Sequence, residues 1–325
     1  MRLYLIGYMG TGKSTIGRKV AKRANLPFFD TDKMVEEAEG AEVADIITYA
    51  GEEYFRRAER ALIEELASAE GDMIISTGGG APTWADNMEY MNERGIEAIP
   101  KLNFSTSHNG WMGDYSHMVS SKPYYRMCED VIRDVVEIFG GPRFFHIGLD
   151  EERAAFQEDQ TSQYICARKG EYWWRDFLHI VAEVEKHGAR AWMWSDYGWS
   201  NEEFFERCPK SVIQQNWFYD EKYGGFDIET NTTSNVRILK AYVKLDEAGF
   251  DQVPCGTNWV GETRRELGVG ADDVIGKLVK FGRKNISKEH LMGFMMATWE
   301  RHIEKEENFQ KVIKGIDLLA EAMKQ

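Results

Sequence analysis

The sequence predicts an α/β fold in two parts, with βα units of a parallel sheet in residues 1–95 and six βα units of a barrel in residues 96–325. Short apolar strands alternate with longer helical stretches along the chain, which is the pattern of βα units. Composition changes near residue 95: the first part has one tryptophan and no histidine or cysteine, and the second has the other nine tryptophans. We therefore predict two partial domains that meet near residue 95.

Composition also limits the partners of this protein. A net charge of -14 argues against nucleic acid and anionic membranes, which select basic surfaces. No apolar run approaches the ~18 residues of a membrane span, and the first strand lacks the features of a signal peptide. We expect a cytoplasmic protein with a small-molecule substrate and no nucleic-acid or membrane partner. The sequence leaves the oligomeric state open.

The first strand leads into a glycine-rich loop and a basic helix, "RLYLIGYMGTGKSTIGRKVAKRA". The loop fits the P-loop pattern G-x-x-x-x-G-K-[ST], whose backbone N–H groups surround phosphate oxygens at a helix N-terminus. In this pattern Lys13 reaches the β- and γ-phosphates and Ser14 ligates Mg²⁺. We therefore predict ATP and Mg²⁺ as cofactors, with the nucleotide bound by Gly10, Thr11, Gly12, Lys13, Ser14 and Thr15.

Three more segments follow in order. "LPFFDTD" delivers Asp30 and Asp32 to the carboxyl end of a strand, "GEEYFRRAE" places Arg56 on a helix, and "DMIISTGGG" ends a buried strand in three glycines. Each segment alone also fits an ordinary structural role: a helix cap, a solvated helix face or a turn. Their order after a P-loop is more specific than any one of them.

With these four motifs, the first part of the chain resembles shikimate kinase. The resemblance implies that Ser14 holds Mg²⁺ and that Asp30 supports the ion through water. It implies that Asp32 binds the substrate and orients the attacking hydroxyl, and that Lys13 acts in catalysis. Arg56 would grip a substrate carboxylate with two hydrogen bonds, and Gly79 would offer backbone N–H groups.

The rest of that kinase pattern is not found in the sequence. In the family, a mobile lid carries an arginine in an Arg-Pro-Leu context, and a later arginine also binds the substrate carboxylate. No such context occurs after residue 95. The nucleotide-binding motif is therefore present without the lid, which makes the kinase activity doubtful.

Six apolar strands are predicted in the second part: "IEAIPKLNFS", "FFHIGLDEE", "ARAWMWSDYGW", "SVIQQNWFY", "QVPCGTNW" and "LMGFMMATWE". Each strand ends in polar or aromatic side chains. A barrel of the TIM type has its active site at this end of every strand.

The segment "FFHIGLDEE" carries three carboxylates at the end of its strand. Adjacent carboxylates repel, so that one of them is expected to hold a proton near neutral pH, as a general acid requires. An acidic helix N-terminus explains the same residues equally well.

"HIGLDEE" resembles the His-x-Gly-Gly-Asp-Glu signature of hexosaminidase-type glycoside hydrolases of family 20, and "IPKLNFSTSH" resembles the strand before it. The resemblance implies that Glu151 is the acid/base and that Asp150 orients the substrate acetamido group, which is the internal nucleophile. It also implies a set of sugar-binding and supporting residues: His108, His146, Trp194, Asp196, Trp217, Tyr219, Trp259 and Trp299. An amino-sugar glycoside would be the substrate.

This second resemblance has departures. Leu149 stands where the family has glycine, and Lys101 and Asn103 stand where the preceding strand has acidic residues. The six strands correspond to the third and later strands of the barrel, so that the first two are missing.

The sequence ranks a shikimate-kinase-like phosphotransferase first, because its motifs are more numerous and correctly ordered. A β-N-acetylhexosaminidase-like hydrolase is the alternative, and a scaffold without turnover is a third possibility. Three explanations of the join stay open: a chimeric product of two partial domains, an engineered recombination of βα fragments, and a natural bifunctional enzyme.

Overall fold

A computed structural model describes most of the chain: residues 2–5, 14, 17–18, 21–22, 25–81, 84–85, 87, 90, 99–108, 111–158, 164–219, 225–258, 274–297, 299 and 306–324. Its contacts divide the chain into two compact units. The first unit comprises Met1–Ala98, Glu137–Gly141 and His302–Phe309, and the second comprises Ile99–Val136, Pro142–Arg301 and Gln310–Gln325. The predicted boundary at residue 95 stays a prediction, since residues 91–98 lie outside the described part.

The first unit contains a parallel three-stranded sheet. Strands β1 (Arg2–Leu5), β2 (Phe28–Asp30) and β3 (Met73–Ser76) lie in the order β1-β3-β2. In register, Asp30 at the end of β2 is paired with Ser76 at the end of β3. The two strand ends therefore present their polar residues at the same edge of the sheet.

Three helices connect β2 to β3: α1 (Thr31–Glu39), α2 (Val43–Ala50) and α3 (Glu52–Ser68). A side-chain oxygen of Asp30 caps α1 by accepting from the Lys33 N–H, and Gly40 ends the helix at φ 65°. On α3, Ile63 and Leu66 are buried against Met73 and Ile75 of the sheet. Their spacing of three residues places both on one face of the helix.

The second unit is built on parallel strands that follow one another in chain order. Strands β4 (Phe144–Gly148), β5 (Arg190–Trp194) and β6 (Ile213–Gln215) form one sheet, and β7 (Cys255–Gly256) pairs with β8 (Met295–Met296). Parallel bridges from Gln252 to Gln214 and to Leu291 connect the two sets. The predicted α/β class with parallel strands in two parts is confirmed.

The predicted strand at 96–104 could join the sheet of either unit, and the pairing of its described residues shows which one. Lys101 forms a parallel bridge with His146, and Leu102 and Phe104 donate their N–H groups to the carbonyls of His146 and Ile147. This segment therefore pairs with β4 of the second unit, as expected for the first of the six strands.

Seven helices accompany these strands in the described residues: α4 (Lys122–Ile138), α5 (Ala154–Glu158), α6 (Glu171–Lys186), α7 (Phe204–Arg207), α8 (Val236–Glu247), α9 (Val274–Asn285) and α10 (Glu306–Lys324). The main core packs Trp173, Trp174 and Phe177 of α6 with Phe145 and Ile147 of β4. Among the described helices, none is long and apolar enough to cross a membrane.

Candidate active sites

The carboxylates of Asp150 and Glu151 stand directly after β4. Gly148, Leu149 and Glu151 have φ values of 70°, 68° and 52°, in the left-handed region. Only glycine enters this region without steric cost. The strained turn ends the strand and aims the two carboxylates at the same place, as backbone strain often does at functional sites.

Asn103 holds this turn in place. Its Nδ2 donates to Asp150 Oδ1 at 2.6 Å, and its Oδ1 accepts from the N–H groups of Leu149 at 2.9 Å and Ser105 at 3.0 Å. A Cβ at Gly148 would overlap the Asn103 side chain, so that this approach requires glycine. The amide therefore orients Asp150 and fixes which of its oxygens faces the site.

His108 faces both carboxylates. Its Nε2 lies 3.3 Å from Asp150 Oδ2 and 3.8 Å from Glu151 Oε2. His108 is the last residue of a short 3₁₀ helix, Thr106–His108, and stays partly exposed. It thus approaches the carboxylates from the surface.

Asp196 supports Glu151 from the next strand. It follows β5, and its Oδ2 accepts the Glu151 N–H at 2.9 Å. Burial, and next the charge of Asp150, raise the pKa of Asp196 to about 7. Within the described part of the chain, its buried Oδ1 has no hydrogen-bond partner. Asp196 can therefore accept or donate a further hydrogen bond.

The pKa of Glu151 is raised as well. The first cause is burial, which disfavours the charged carboxylate, and the second is the negative charge of Asp150. A raised pKa keeps the Glu151 carboxyl protonated at a higher pH than an exposed glutamate. This is the protonation state that a general acid needs.

His146 lies beneath these residues on β4 and is buried. The Gly148 N–H donates to its Nδ1 at 3.0 Å, so that Nε2 carries the proton and donates to Gln215 Oε1 at 2.8 Å. Burial lowers the pKa of His146 to about 3. His146 is therefore a neutral support that ties β4 to β6.

Aromatic side chains follow the neighbouring strands. The ring centroid of Trp194 lies 6.0 Å from that of Trp299, and Tyr219 stacks on Trp217 at 5.0 Å. Tyr219 also meets Trp299 edge to face at 6.4 Å. The structure thus brings four of the predicted aromatic residues into one connected group. Trp259, the fifth, lies outside the described residues.

Lys101 also belongs to this group, and the sequence analysis treated it only as a departure. Its ammonium lies 4.7 Å from the ring centroid of Trp194. Burial lowers the pKa of Lys101, while the charge of Asp150 opposes that shift. Lys101 and Asn103 are thus site residues that the sequence analysis missed. Their alternation on the strand that precedes β4 was the available signal, because both side chains then point to the same face.

The first unit contains a second set of converging polar residues at the turn after β3. Glu59 is buried on α3, and its carboxylate accepts the Gly78 N–H at 2.7 Å, the Thr31 hydroxyl at 2.9 Å and Arg56 Nη1 at 2.8 Å. A Cβ at Gly78 would overlap the carboxylates of Glu59 and Asp32. Glu59 is a further residue that the predicted set omitted, although it closes the quoted "GEEYFRRAE" segment.

The last glycine of the turn, Gly80, lies against Arg56. A Cβ at Gly80 would overlap its guanidinium group. Arg56 also makes long hydrogen bonds to Glu52 Oε1, at 3.3 Å and 3.4 Å. Gly79 lies between the two crowded glycines. Asp32, Arg56 and Gly79 are therefore brought together.

Ser14 and Asp30 lie at one edge of the sheet. The Ser14 hydroxyl is 3.5 Å from that of Ser76, and Ser76 is the register partner of Asp30. A hydroxyl and a carboxylate at one strand edge fit the oxygen donors that Mg²⁺ prefers. The other predicted nucleotide-binding residues, Gly10, Thr11, Gly12, Lys13 and Thr15, lie outside the described residues.

Comparison with protein families gives two matches. Residues 9–98 match the family model for shikimate kinase, and residues 81–321 match that for the catalytic domain of glycosyl hydrolase family 20. The second match covers well over half of the chain. Both resemblances stated from the motifs are confirmed.

Individual relatives match only parts of the chain. The shikimate kinase of Parabacteroides distasonis is 46% identical over 101 residues, which are 31% of this chain and 58% of that protein. The shikimate kinase of Aquifex aeolicus, known from a crystal structure, is 38% identical, with a TM-score of 0.29. That match covers 32% of this chain and 61% of the Aquifex protein. This chain thus spans about three fifths of the length of these two kinases.

Solved structures are also found for the larger part. An inactive mutant of the family 20 exo β-N-acetylglucosaminidase from Vibrio harveyi is 14% identical, with a TM-score of 0.47. The overlap covers 76% of this chain and 41% of that protein.

Proposed function

This chain belongs to glycosyl hydrolase family 20, and we propose that it hydrolyses β-linked N-acetylhexosaminides with Glu151 as the general acid. The observation that carries the proposal is the position of Glu151 beside Asp150, with burial and that neighbouring charge raising its pKa. The hydrolase is preferred over the kinase, which the sequence ranks first, because Asp150, Glu151 and Asp196 converge at the ends of β4 and β5 as acid catalysis requires. The family match is also the longer of the two.

In the proposed reaction, the Glu151 carboxyl gives its proton to the glycosidic oxygen as the bond to the anomeric carbon breaks. The acetamido oxygen of the substrate attacks that carbon, and Asp150 orients the acetamido group. Glu151, now a carboxylate, then takes a proton from the water that opens the intermediate. Asn103 supports this role of Asp150, because its amide already holds Oδ1 at 2.6 Å.

The aromatic group supports a sugar substrate. Flat faces of Trp194, Trp217 and Trp299 can pack on the C–H face of a pyranose, and the free acceptor of Asp196 can bind a sugar hydroxyl. Trp259 and Tyr219 complete the proposed sugar-binding set, with His108 and His146 as supports.

The test is hydrolysis of an aryl N-acetylglucosaminide. Glu151→Gln should lower kcat by about 10²–10⁴-fold, because general acid catalysis contributes that much. Glu206→Gln on α7 is the matched control, since Glu206 is exposed and lies outside the site. Unchanged hydrolysis by Glu151→Gln would show that the acid is wrongly assigned.

A second candidate activity is ATP-dependent phosphoryl transfer to a hydroxyl of a shikimate-like acid. It is favoured by the convergence of Asp32, Arg56 and Glu59 on the glycine turn. Ser14 and Asp30 would hold Mg²⁺, which with ATP supplies charge neutralisation at the phosphates. Asp32 would orient the substrate hydroxyl and Arg56 would bind the carboxylate. A cytoplasmic location, where ATP is available, is part of this proposal.

This second activity has its own test. Lys13→Ala should weaken Mg·ATP binding, measured by calorimetry, because the lysine charge faces the β- and γ-phosphates in P-loop proteins. Lys33→Ala is the control: this exposed lysine pairs with Glu36 on α1. Equal binding by Lys13→Ala and wild type would contradict nucleotide binding by the loop.

A further inference from the structure

His108, Asp150 and Glu151 together offer three metal-ligand atoms. One nitrogen of the histidine and one oxygen of each carboxylate all lie within 4.8 Å of one another. Among the histidine, cysteine, aspartate and glutamate side chains of the described residues, these three converge closely enough to share one ion. The proposed hydrolysis uses the two carboxylates but gives the histidine only a supporting role.

We propose that His108, Asp150 and Glu151 form a binding site for a divalent transition-metal ion such as Zn²⁺, and that the bound ion blocks the hydrolytic site. The binding itself does not depend on the proposed hydrolysis. The blocking does, because the ion would occupy the oxygens that the reaction needs.

The spacing of the ligand atoms fits a tetrahedral ion. Bonds of about 2.0–2.1 Å to nitrogen and carboxylate oxygen place two ligands of a tetrahedron about 3.3–3.4 Å apart. His108 Nε2 and Asp150 Oδ2 are 3.3 Å apart, and His108 Nε2 and Glu151 Oε2 are 3.8 Å apart. The ligand atoms lie within 4.8 Å of one another, so that rotation of the Glu151 side chain would have to bring its oxygen closer to the other two, and water would complete the tetrahedron.

Neighbouring residues already orient these ligands. Asn103 binds Asp150 Oδ1, which leaves Oδ2 directed at His108. The Glu151 backbone is held by Asp196. Such hydrogen bonds around a metal site fix ligand orientation and contribute strongly to affinity.

The donor set also selects the ion. One imidazole and two carboxylates suit Zn²⁺, whereas Mg²⁺ prefers oxygen ligands and keeps most of its water. The His108 side chain is 37% exposed, so that an ion can reach the cluster from solvent.

The experiment uses the full chain, freed of metal and studied without nucleotide. Titration with Co²⁺ should produce the strong visible absorption of tetrahedral Co²⁺, and added Zn²⁺ should abolish it. Mg²⁺ at the same concentration should leave the absorption unchanged. Calorimetry with Zn²⁺ then measures the affinity of each variant.

Three variants and one control test the ligands. Asn103→Ala should weaken Zn²⁺ binding by about 10–100-fold, the usual effect of removing a group that orients a ligand. His108→Gln and Glu151→Gln should weaken it at least as much and remove the Co²⁺ absorption. His290→Gln is the control, because His290 meets a single carboxylate, with Nδ1 3.4 Å from Asp251 Oδ1.

Wild-type Zn²⁺ affinity in both His108→Gln and Glu151→Gln would overturn the site, as would wild-type protein that yields no tetrahedral Co²⁺ absorption. Two ligand variants are used so that the test survives if one of them misfolds, and circular dichroism checks that each variant is folded. If Zn²⁺ binds as expected and the metal-free protein hydrolyses no aryl glycoside, the proposed function and the blocking fail, and the metal site stands. If hydrolysis occurs and Zn²⁺ binding is independent of these residues, only the metal site fails.

Discussion

Leu149 occupies a backbone conformation that is normally reserved for glycine. Its φ is 68°, which costs a residue with a side chain about 1–2 kcal/mol. Its side chain is buried in the main core of the second unit, and burial of a leucine contributes about 1.5–3 kcal/mol. The departure from the family signature at this position is thus compatible with the turn that presents Asp150 and Glu151.

Substitution of Gly148 tests the close contact between this turn and the Asn103 side chain. We predict that Gly148→Ala destabilises the protein by more than about 1 kcal/mol, because the added Cβ would overlap Asn103 and φ is already 70°. Urea denaturation measures the loss. Gly141→Ala is a control with a similar φ of 72° and open space around it, so that it isolates backbone strain from overlap. Equal losses in the two variants would show that Asn103 imposes no constraint.

The raised pKa of Asp196 leads us to predict that the free energy of unfolding depends on pH. Its pKa is raised from 3.8 to about 7, so that the folded state binds the proton more tightly than the unfolded chain. The stabilisation is complete below pH ~4 and is lost as pH rises to about 7, and it amounts to at most about 4 kcal/mol. Asp196→Asn should therefore be more stable than wild type at pH 8, with a flatter dependence on pH.

Denaturation in urea across this pH range checks the expectation. Asp114→Asn serves as control, because Asp114 is exposed on the short helix Gly113–His117. If the unfolding free energy of Asp196→Asn changes with pH as steeply as that of wild type, another group is responsible for the pH dependence.

At the scale of elements, helix α3 is joined to the turn after β3 by one buried carboxylate. Glu59 accepts hydrogen bonds from the Gly78 backbone, Thr31 and Arg56. The sequence shows that residue 59 is a glutamate, but it does not show that this side chain is buried. Helix periodicity places Glu59 on the same face as Phe55 and Ile63, and only the position of the glycine turn gives that face polar partners.

Removal of this carboxylate should weaken the first unit. Glu59→Ala should cost about 3 kcal/mol of unfolding free energy, because it leaves a buried N–H and Arg56 without their acceptor. Glu64→Ala on the same helix should cost less than about 1 kcal/mol, since the Glu64 side chain is about half exposed where it pairs with Arg60. Chemical denaturation compares the two, and similar losses would argue against a connecting role for Glu59.

The six strands of the second unit show what element-level patterns can predict. Alternating apolar strands and helices predicted parallel βα order, and the observed pairing follows chain order from Lys101 to β8. Periodicity could not say whether the segment at 96–104 pairs with β3 or β4. That choice depends on hydrogen bonds to His146 and Ile147, which are more than 40 residues away.

At the scale of the whole molecule, one chain matches two families, and the strands of its two units belong to different sheets. We predict that the two proposed activities can be lost separately. Glu151→Gln should lower hydrolysis by about 10²–10⁴-fold and leave Mg·ATP binding as in wild type. Lys13→Ala should weaken Mg·ATP binding and leave hydrolysis as in wild type. Parallel glycosidase and calorimetric assays on both variants provide the comparison. Joint loss of both functions in either folded variant would refute separate sites.

The sequence by itself determined the two-part α/β class, both family resemblances and the carboxylates that end β4. These depend on local patterns: strand length, glycine spacing and the order of motifs. Only the tertiary structure decided that Asn103 orients Asp150, that His108 faces two carboxylates, and that Asp196 supports Glu151. These four contacts join residues over 40 positions apart that follow or belong to different strand segments, so that strand pairing decides which side chains meet.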